Sequence, residues 1–152
     1  MQMPAPARPY AICFALGLAF FLLSTLVSDV IARTTVGSED FGYAISQHAY
    51  YAAVEPLGTG LLLAPSLLVA WMAGFLARRK SLQRGLIFLF AACSVLALIY
   101  FFGYQDSQHY MAERMWTAAT LAVGFLVFKS IPGLVVALVA FLIARRGSRV
   151  EP

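Results

Sequence analysis

Charged residues are scarce in this sequence. Only 12% of its 152 residues are Asp, Glu, Lys or Arg, whereas 61% are hydrophobic. Soluble domains carry about twice that share of charge, so the composition excludes an ordinary soluble protein and predicts an all-α integral membrane protein. Because a span takes roughly 20 residues, the chain has room for about four, and we expect one membrane domain over residues 1–152 without a separate soluble domain.

Cysteine and the motifs of common chemistries are also scarce. The two cysteines, Cys13 and Cys93, lie in separate apolar stretches without a CxxC pair, which favours small buried side chains over a disulfide or redox role. The sequence contains no Gly-rich phosphate loop, no GxSxG nucleophile motif and no HExxH zinc motif. We therefore predict a non-enzymatic protein without a resident cofactor.

Long apolar stretches predict four transmembrane helices over residues 10–31, 57–77, 85–104 and 116–144. Eight of the eleven basic residues flank these spans on one side of the membrane, and five acidic residues gather on the other. Because basic residues are retained in cytoplasmic loops, both termini are predicted to be cytoplasmic, in a bacterial inner membrane. The net charge of +4 then reflects orientation in the bilayer and indicates no nucleic-acid partner.

Span 1 resembles a secretory signal in its position after Arg8. Its apolar run is longer than the usual core of a signal, and it ends in Val30, Ile31 and Ala32, a poor cleavage site. We therefore expect span 1 to remain part of the mature protein.

An internal repeat relates the second and fourth spans. Residues 64–81 and 131–148 align without a gap and share nine positions, among them a proline, an Arg-Arg pair and a serine two residues after that pair. Proline removes a helix hydrogen bond, so Pro65 and Pro132 are predicted to kink these spans at equivalent heights.

The two histidines give a second match between the two halves of the sequence, because His48 and His109 each follow Ser-Gln. We therefore predict two tandem helical hairpins, residues 10–81 and 85–148, related by a pseudo-twofold axis along the membrane normal. A short interfacial helix is predicted within the first outer loop, where Phe41–Val54 has helical periodicity and Ser38, Glu39 and Asp40 provide a capped start.

One lysine interrupts the fourth span. Lys129 lies 16 residues before Arg145, about 24 Å along a helix, and therefore nearer the outer surface than the midplane. It either extends outward to water along its apolar stem or pairs inside the protein. Asp29 is the one acidic residue within a predicted span and lies about one turn higher, which gives the hypothesis of an intramembrane Lys129–Asp29 pair.

The outer side also carries candidate ligands and aromatic residues. His48, His109 and Glu113 suggest a metal or haem site, because imidazole is a common ligand and the last two are one helical turn apart. A tyrosine-rich outer surface is the second feature, since aromatic side chains are favoured in protein interfaces. Its predicted members are Tyr43, Tyr50, Tyr51, Tyr104, Tyr110 and Trp116.

Three functions are compatible with these features. The first is an accessory, scaffold or immunity-type protein that binds another membrane or periplasmic component, and it fits the small size and the absent chemistry. The second is a small transporter or channel, as a homo-oligomer that uses the kinked spans and the charge pair. The third is a protein that binds a metal, haem or quinone through the outer histidines. In each of them the lipid bilayer is the immediate environment.

Overall fold

The computed structural model describes residues 7–146, which form seven helices and no strand. Within this described part, four segments are long and apolar enough to cross a membrane. They are α1, α3, α4 and the stretch Leu126–Arg146, which comprises α6 and α7. The predicted all-α class and the four candidate spans are therefore confirmed at this level. The helices are α1 Arg8–Thr35, α2 Phe41–Val54, α3 Pro56–Arg79, α4 Leu82–Ala112, α5 Trp116–Gly124, α6 Leu126–Lys129 and α7 Ile131–Arg146.

The short helix α2 has the predicted bounds. Asp40 is its N-cap residue, and the side chain accepts hydrogen bonds from the backbone N–H groups of Gly42 and Tyr43. Such a cap satisfies N–H groups that have no partner within the helix and thereby fixes where the helix begins.

Two spans continue as helices beyond the apolar stretches that predicted them. Helix α1 runs to Thr35 instead of ending at residue 31, and α4 runs to Ala112 instead of residue 104. With 31 residues α4 is about 46 Å long, longer than the roughly 30 Å hydrocarbon core of a bilayer. The end of α4 therefore belongs to the polar region next to α2.

The predicted fourth span, residues 116–144, is divided into α5, α6 and α7. Interruptions lie at Phe125 and at Ser130. Pro132 has no N–H to donate to the carbonyl of Phe128, which explains why regular α-helical bonding stops just before it. Pro132 thus lies in the first turn of α7, whereas Pro65 lies inside the continuous helix α3. The two prolines thus occupy different helical contexts, and kinks at equivalent heights stay a prediction.

The core is formed where α1, α3 and α4 pack against one another. Small residues allow close approach, as is common between membrane helices. A Cβ atom added at Gly85 of α4 would lie 2.6 Å from Cβ of Ala77 on α3. Gly103, further along α4, makes room for the side chain of Leu126 on α6. Helix α7 packs on α3 and α4 and buries Ala137 and Phe141.

The two ends of the bundle differ in charge. The arginine-rich end, as we call it, contains the basic residues at the start of α1, around the α3–α4 turn and at the end of α7. We call the opposite end, which contains α2 and the α4–α5 turn, the α2 end. Within residues 7–146 all six acidic residues lie at or near the α2 end, and they are Asp29, Glu39, Asp40, Glu55, Asp106 and Glu113.

Candidate functional site

The last two turns of α1 place a carboxylate and a guanidinium on one buried face. Asp29 and Arg33 are four residues apart, a spacing that brings side chains together on a helix. Only 4% and 7% of these residues are exposed. Arg33 Nε donates a hydrogen bond to Asp29 Oδ1 at 3.0 Å. This pair forms because α1 continues as a helix past the predicted end of span 1.

Helix α2 contributes a histidine to the other oxygen of the same carboxylate. His48 Nδ1 lies 3.0 Å from Asp29 Oδ2. A carboxylate only accepts hydrogen bonds, so Nδ1 carries the hydrogen and donates it. Asp29 is therefore shared between the two helices, with Arg33 on its own helix and His48 on α2.

The connecting loop and one α2 tyrosine complete the surroundings of the guanidinium. Arg33 Nη1 donates to Glu39 Oε2 at 3.3 Å, and Arg33 Cζ lies 5.6 Å from the centroid of the Tyr51 ring. A guanidinium at that distance over an aromatic face is attracted by the ring electrons. We call Asp29, Arg33, Glu39 and His48 the Asp29 network.

Helix α4 covers the network from the other side. The Tyr104 ring lies 6.5 Å from the His48 ring in an edge-on arrangement, and Tyr104 is buried. Gln108, one turn further along α4, is 3% exposed and lies against the loop after α1, since a Cβ added at Gly37 would come within 3.2 Å of Gln108 Oε1. The network therefore sits where α1, α2 and α4 meet.

The network is internally satisfied. Within residues 7–146, every buried side-chain nitrogen or oxygen has a hydrogen-bond partner. Removing Asp29 or Arg33 would break the buried ion pair, which costs about 3–5 kcal/mol in comparable buried pairs. The arrangement thus holds α2 against the bundle, and it needs no added ligand to complete its hydrogen bonds.

The hypothesis of a Lys129–Asp29 pair is wrong. Lys129 Nζ lies 3.3 Å from Asp106 Oδ2 on α4, and both side chains are about half exposed. Asp29 is already occupied by Arg33 and His48. The sequence contained the signal for the correct partner, because Asp29 and Arg33 have helical spacing, but the predicted end of the span placed Arg33 in a loop.

The three residues of the predicted metal site point in different directions. His48 faces Asp29 inside the bundle, whereas His109 and Glu113 are exposed at the end of α4. In the part of the chain that the structure describes, no group of three or more His, Cys, Asp or Glu side chains could hold a metal ion.

The predicted aromatic surface is present at the α2 end with one exception. Tyr43, Tyr50 and Trp116 are 53%, 58% and 64% exposed, and Tyr51 and Tyr110 are also exposed. Tyr104 is buried against His48 and does not belong to this surface.

A contact between α4 and α3 was not expected from the sequence. The Tyr100 hydroxyl donates a hydrogen bond to the carbonyl oxygen of Leu62 at 2.6 Å. Leu62 lies three residues before Pro65, in the turn that the proline weakens by removing a backbone donor. Tyr100 is 1% exposed, so this bond joins two helices inside the core.

The Ser-Gln-His stretches that suggested a repeat lie in different elements. His48 belongs to α2, between the first two spans, and points inward. His109 belongs to the last turn of α4, and there Ser107 and Gln108 are the buried members. Ser107 Oγ donates to the carbonyl oxygen of Ala119 at 3.0 Å and so joins α4 to α5.

Searches for related proteins found no protein-family model, no curated protein and no solved structure that matches the chain. No relative suggests a function, so a functional proposal rests on the geometry of the α2 end.

Proposed function

We propose that this protein is a non-enzymatic membrane protein that binds another membrane or periplasmic protein through its α2 end. The observation that carries the proposal is the two-sided character of α2. Its inner side is held by the partly buried bond from His48 to Asp29, and its outer side exposes Tyr43 and Tyr50. Accessory, scaffold or immunity-type roles all need such a surface.

The composition of α2 supports a contact surface. The helix contains no Asp, Glu, Lys or Arg, and its exposed side consists of tyrosines, the apolar residues Phe41, Ile45 and Val54, small residues and serine. Protein interfaces are enriched in tyrosine and depleted of charge at their centres. A surface fixed in advance also loses less conformational freedom when it binds, which favours affinity. The Asp29 network provides this rigidity.

Orientation in the membrane follows from the asymmetry of charge. The described residues of the arginine-rich end carry only positive charge, which favours retention of that end in the cytoplasm. We therefore place both termini in the cytoplasm of a bacterial cell and the α2 end on the periplasmic side of the inner membrane. The accessibility of a cysteine introduced at Ser46 or at Ser81 to a membrane-impermeant maleimide tests this, and we expect labelling of intact spheroplasts at Ser46→Cys alone.

The tandem-hairpin arrangement remains part of the proposal. It is supported by the sequence match between residues 64–81 and 131–148, whereas the different positions of the Ser-Gln-His stretches weaken it.

Site-specific photo-crosslinking tests the binding function. A photoreactive amino acid at Tyr50 should give a discrete crosslinked product in native membranes, and the same probe at Phe102 of α4 is the matched control. Phe102 is 62% exposed and aromatic, and it belongs to α4 instead of α2. A product of twice the chain's mass would identify a homo-oligomer. Equal products from both positions, or none from Tyr50, would contradict the proposal.

A further inference from the structure

Two arginines from different helices meet one aromatic ring at the arginine-rich end. The guanidinium carbon of Arg79, on α3, lies 4.9 Å from the centroid of the Phe75 ring, and that of Arg145, on α7, lies 5.5 Å from the same centroid. Each distance is within the range of a cation–π contact. The ring therefore positions two cations that come from distant parts of the sequence.

The ring itself is held in place by packing. Phe75 meets Phe141 of α7 edge-on at 5.7 Å between centroids, and Phe141 contacts Phe88 of α4 at 6.3 Å. Phe141 is 6% exposed. The two guanidinium groups thus lie against a packed aromatic cluster that joins three helices.

No acidic side chain among residues 7–146 neutralises the positive charge of Arg79 and Arg145. Over residues 7–146, neither Arg79 nor Arg145 forms a salt bridge, and the neighbouring Arg78 and Arg146 add further positive charge. Both guanidinium carbons lie within 5.5 Å of one ring centroid, so the two like charges repel one another, and an anion near both would relieve this repulsion. A guanidinium is well suited to a phosphate, which it binds with two parallel hydrogen bonds.

Exposed apolar side chains lie near the two arginines, on the parts of α3 and α7 that lead away from the arginine-rich end. Trp71 lies one turn before Phe75 on α3 and is 49% exposed, and Leu142 lies three residues before Arg145 on α7 and is 42% exposed. Residues at these spacings share a helical face. A molecule that binds here would place an anionic group at the arginines and an apolar chain along the helices.

We propose that Arg79 and Arg145, positioned on Phe75, form a binding site for the phosphate of an anionic phospholipid, whose acyl chain contacts Trp71 and Leu142. Basic sites between membrane helices bind anionic lipid headgroups in this manner. The site is independent of the α2 end, so it can be tested whether or not the proposed partner exists.

Fluorescence quenching measures binding at this position. The substitution Trp116→Phe leaves Trp71 as the one tryptophan of the chain. The full-length protein in this background is placed in mixed micelles with increasing fractions of phosphatidylglycerol brominated on its acyl chains, and brominated phosphatidylcholine is the neutral-headgroup arm. We expect phosphatidylglycerol to quench Trp71 at a lower lipid fraction than phosphatidylcholine does.

Substitutions then separate a site from general surface charge. Arg79→Gln and Arg145→Gln should each raise the half-quenching fraction of phosphatidylglycerol about fivefold or more, because each removes a guanidinium that binds the phosphate directly as well as a surface charge. Arg146→Gln is the matched control, since it removes an equal charge from the same helix end, and we expect less than half of that effect. Phe75→Leu should behave like the two arginine variants because the ring positions them.

Three results would overturn the proposal. The first is an equal loss in the Arg146→Gln control, which would show that only the overall surface charge matters. The second is equal quenching by phosphatidylglycerol and phosphatidylcholine. The third is reversal of quenching by inorganic phosphate at a concentration matching that of the lipid, which would identify free phosphate as the ligand. Unchanged thermal unfolding of each variant shows that it is folded.

Discussion

His48 of α2 donates a hydrogen bond from Nδ1 to Oδ2 of Asp29, a buried carboxylate on α1, at 3.0 Å. The other oxygen of this carboxylate accepts from Arg33. A single acidic side chain therefore links the end of the first span to the helix that follows it. This bond contributes to holding α2 in place, together with the packing of α2 on α1 and α3, and part of the surface we propose for partner binding lies on α2.

The first prediction concerns removal of this link. Asp29→Asn should lower the free energy of unfolding by about 3–5 kcal/mol, because Arg33 would remain buried with only the partly exposed Glu39 as an acidic partner. His48→Ala should cost about 1–3 kcal/mol, because one oxygen of Asp29 would lose a buried hydrogen bond. Unfolding of the purified protein in detergent measures both values.

The second Ser-Gln-His stretch provides the control for this experiment. His109 is exposed on α4, and substitutions on an exposed surface are usually within about 0.5 kcal/mol of the parent protein. The double variant of Asp29 and His48 should lose less than the sum of the single losses, since the two residues share one bond. Equal losses for His48→Ala and His109→Ala would show that the bond to Asp29 contributes little.

Apolar length and periodicity are sufficient to predict much of this fold. The four spans and α2 follow from runs of hydrophobic residues and from the cap at Asp40, because these signals depend on neighbouring residues alone. The break at Ser130 was missed, although Pro132 marked it, because a proline interrupts some helices and is accommodated in others. Pro65, in the continuous helix α3, shows the second behaviour.

The site was harder to predict, because it depends on contacts between distant elements. Asp29 is the one acidic residue within a predicted span, but only depth suggests Lys129 as its partner, and depth does not specify which side of a helix a residue faces. His48 faces inward as a result of where Asp40 starts α2. The inward position of Tyr104 depends likewise on the packing of α4 against α1 and α2, for which the sequence alone carries no signal that we can identify.

A second prediction concerns the observed partner of Lys129. The pair with Asp106 is about half exposed on both sides, and exposed ion pairs contribute at most about 1 kcal/mol. Lys129→Met and Asp106→Asn should therefore each change the free energy of unfolding by less than that amount in detergent. Lys129→Met should also fail to restore the stability lost in Asp29→Asn, and recovery in that double variant would contradict the pairing of Lys129 with Asp106.

A third prediction concerns the bond between α4 and α3. Tyr100→Phe removes the hydroxyl that donates to the carbonyl of Leu62 and keeps the ring, so the loss should be about 1 kcal/mol, typical of one hydrogen bond between membrane helices. Tyr110→Phe is the matched control, because Tyr110 is exposed on the same helix. Equal unfolding temperatures for the two variants would show that the bond adds no stability.

The last prediction tests the close packing of α3 and α4. A Cβ atom at Gly85 would lie 2.6 Å from Cβ of Ala77 and 2.7 Å from the carbonyl oxygen of Ala73, so Gly85→Ala forces the two helices apart. We expect a loss of about 1–3 kcal/mol in the free energy of unfolding. Gly60→Ala makes the same chemical change in α3 at a position where nothing lies within 4 Å of the new atom. There the higher helix propensity of alanine should leave stability unchanged or raise it by up to about 1 kcal/mol. If both variants unfold at the temperature of the parent protein, the two helices do not pack as closely as the structure describes.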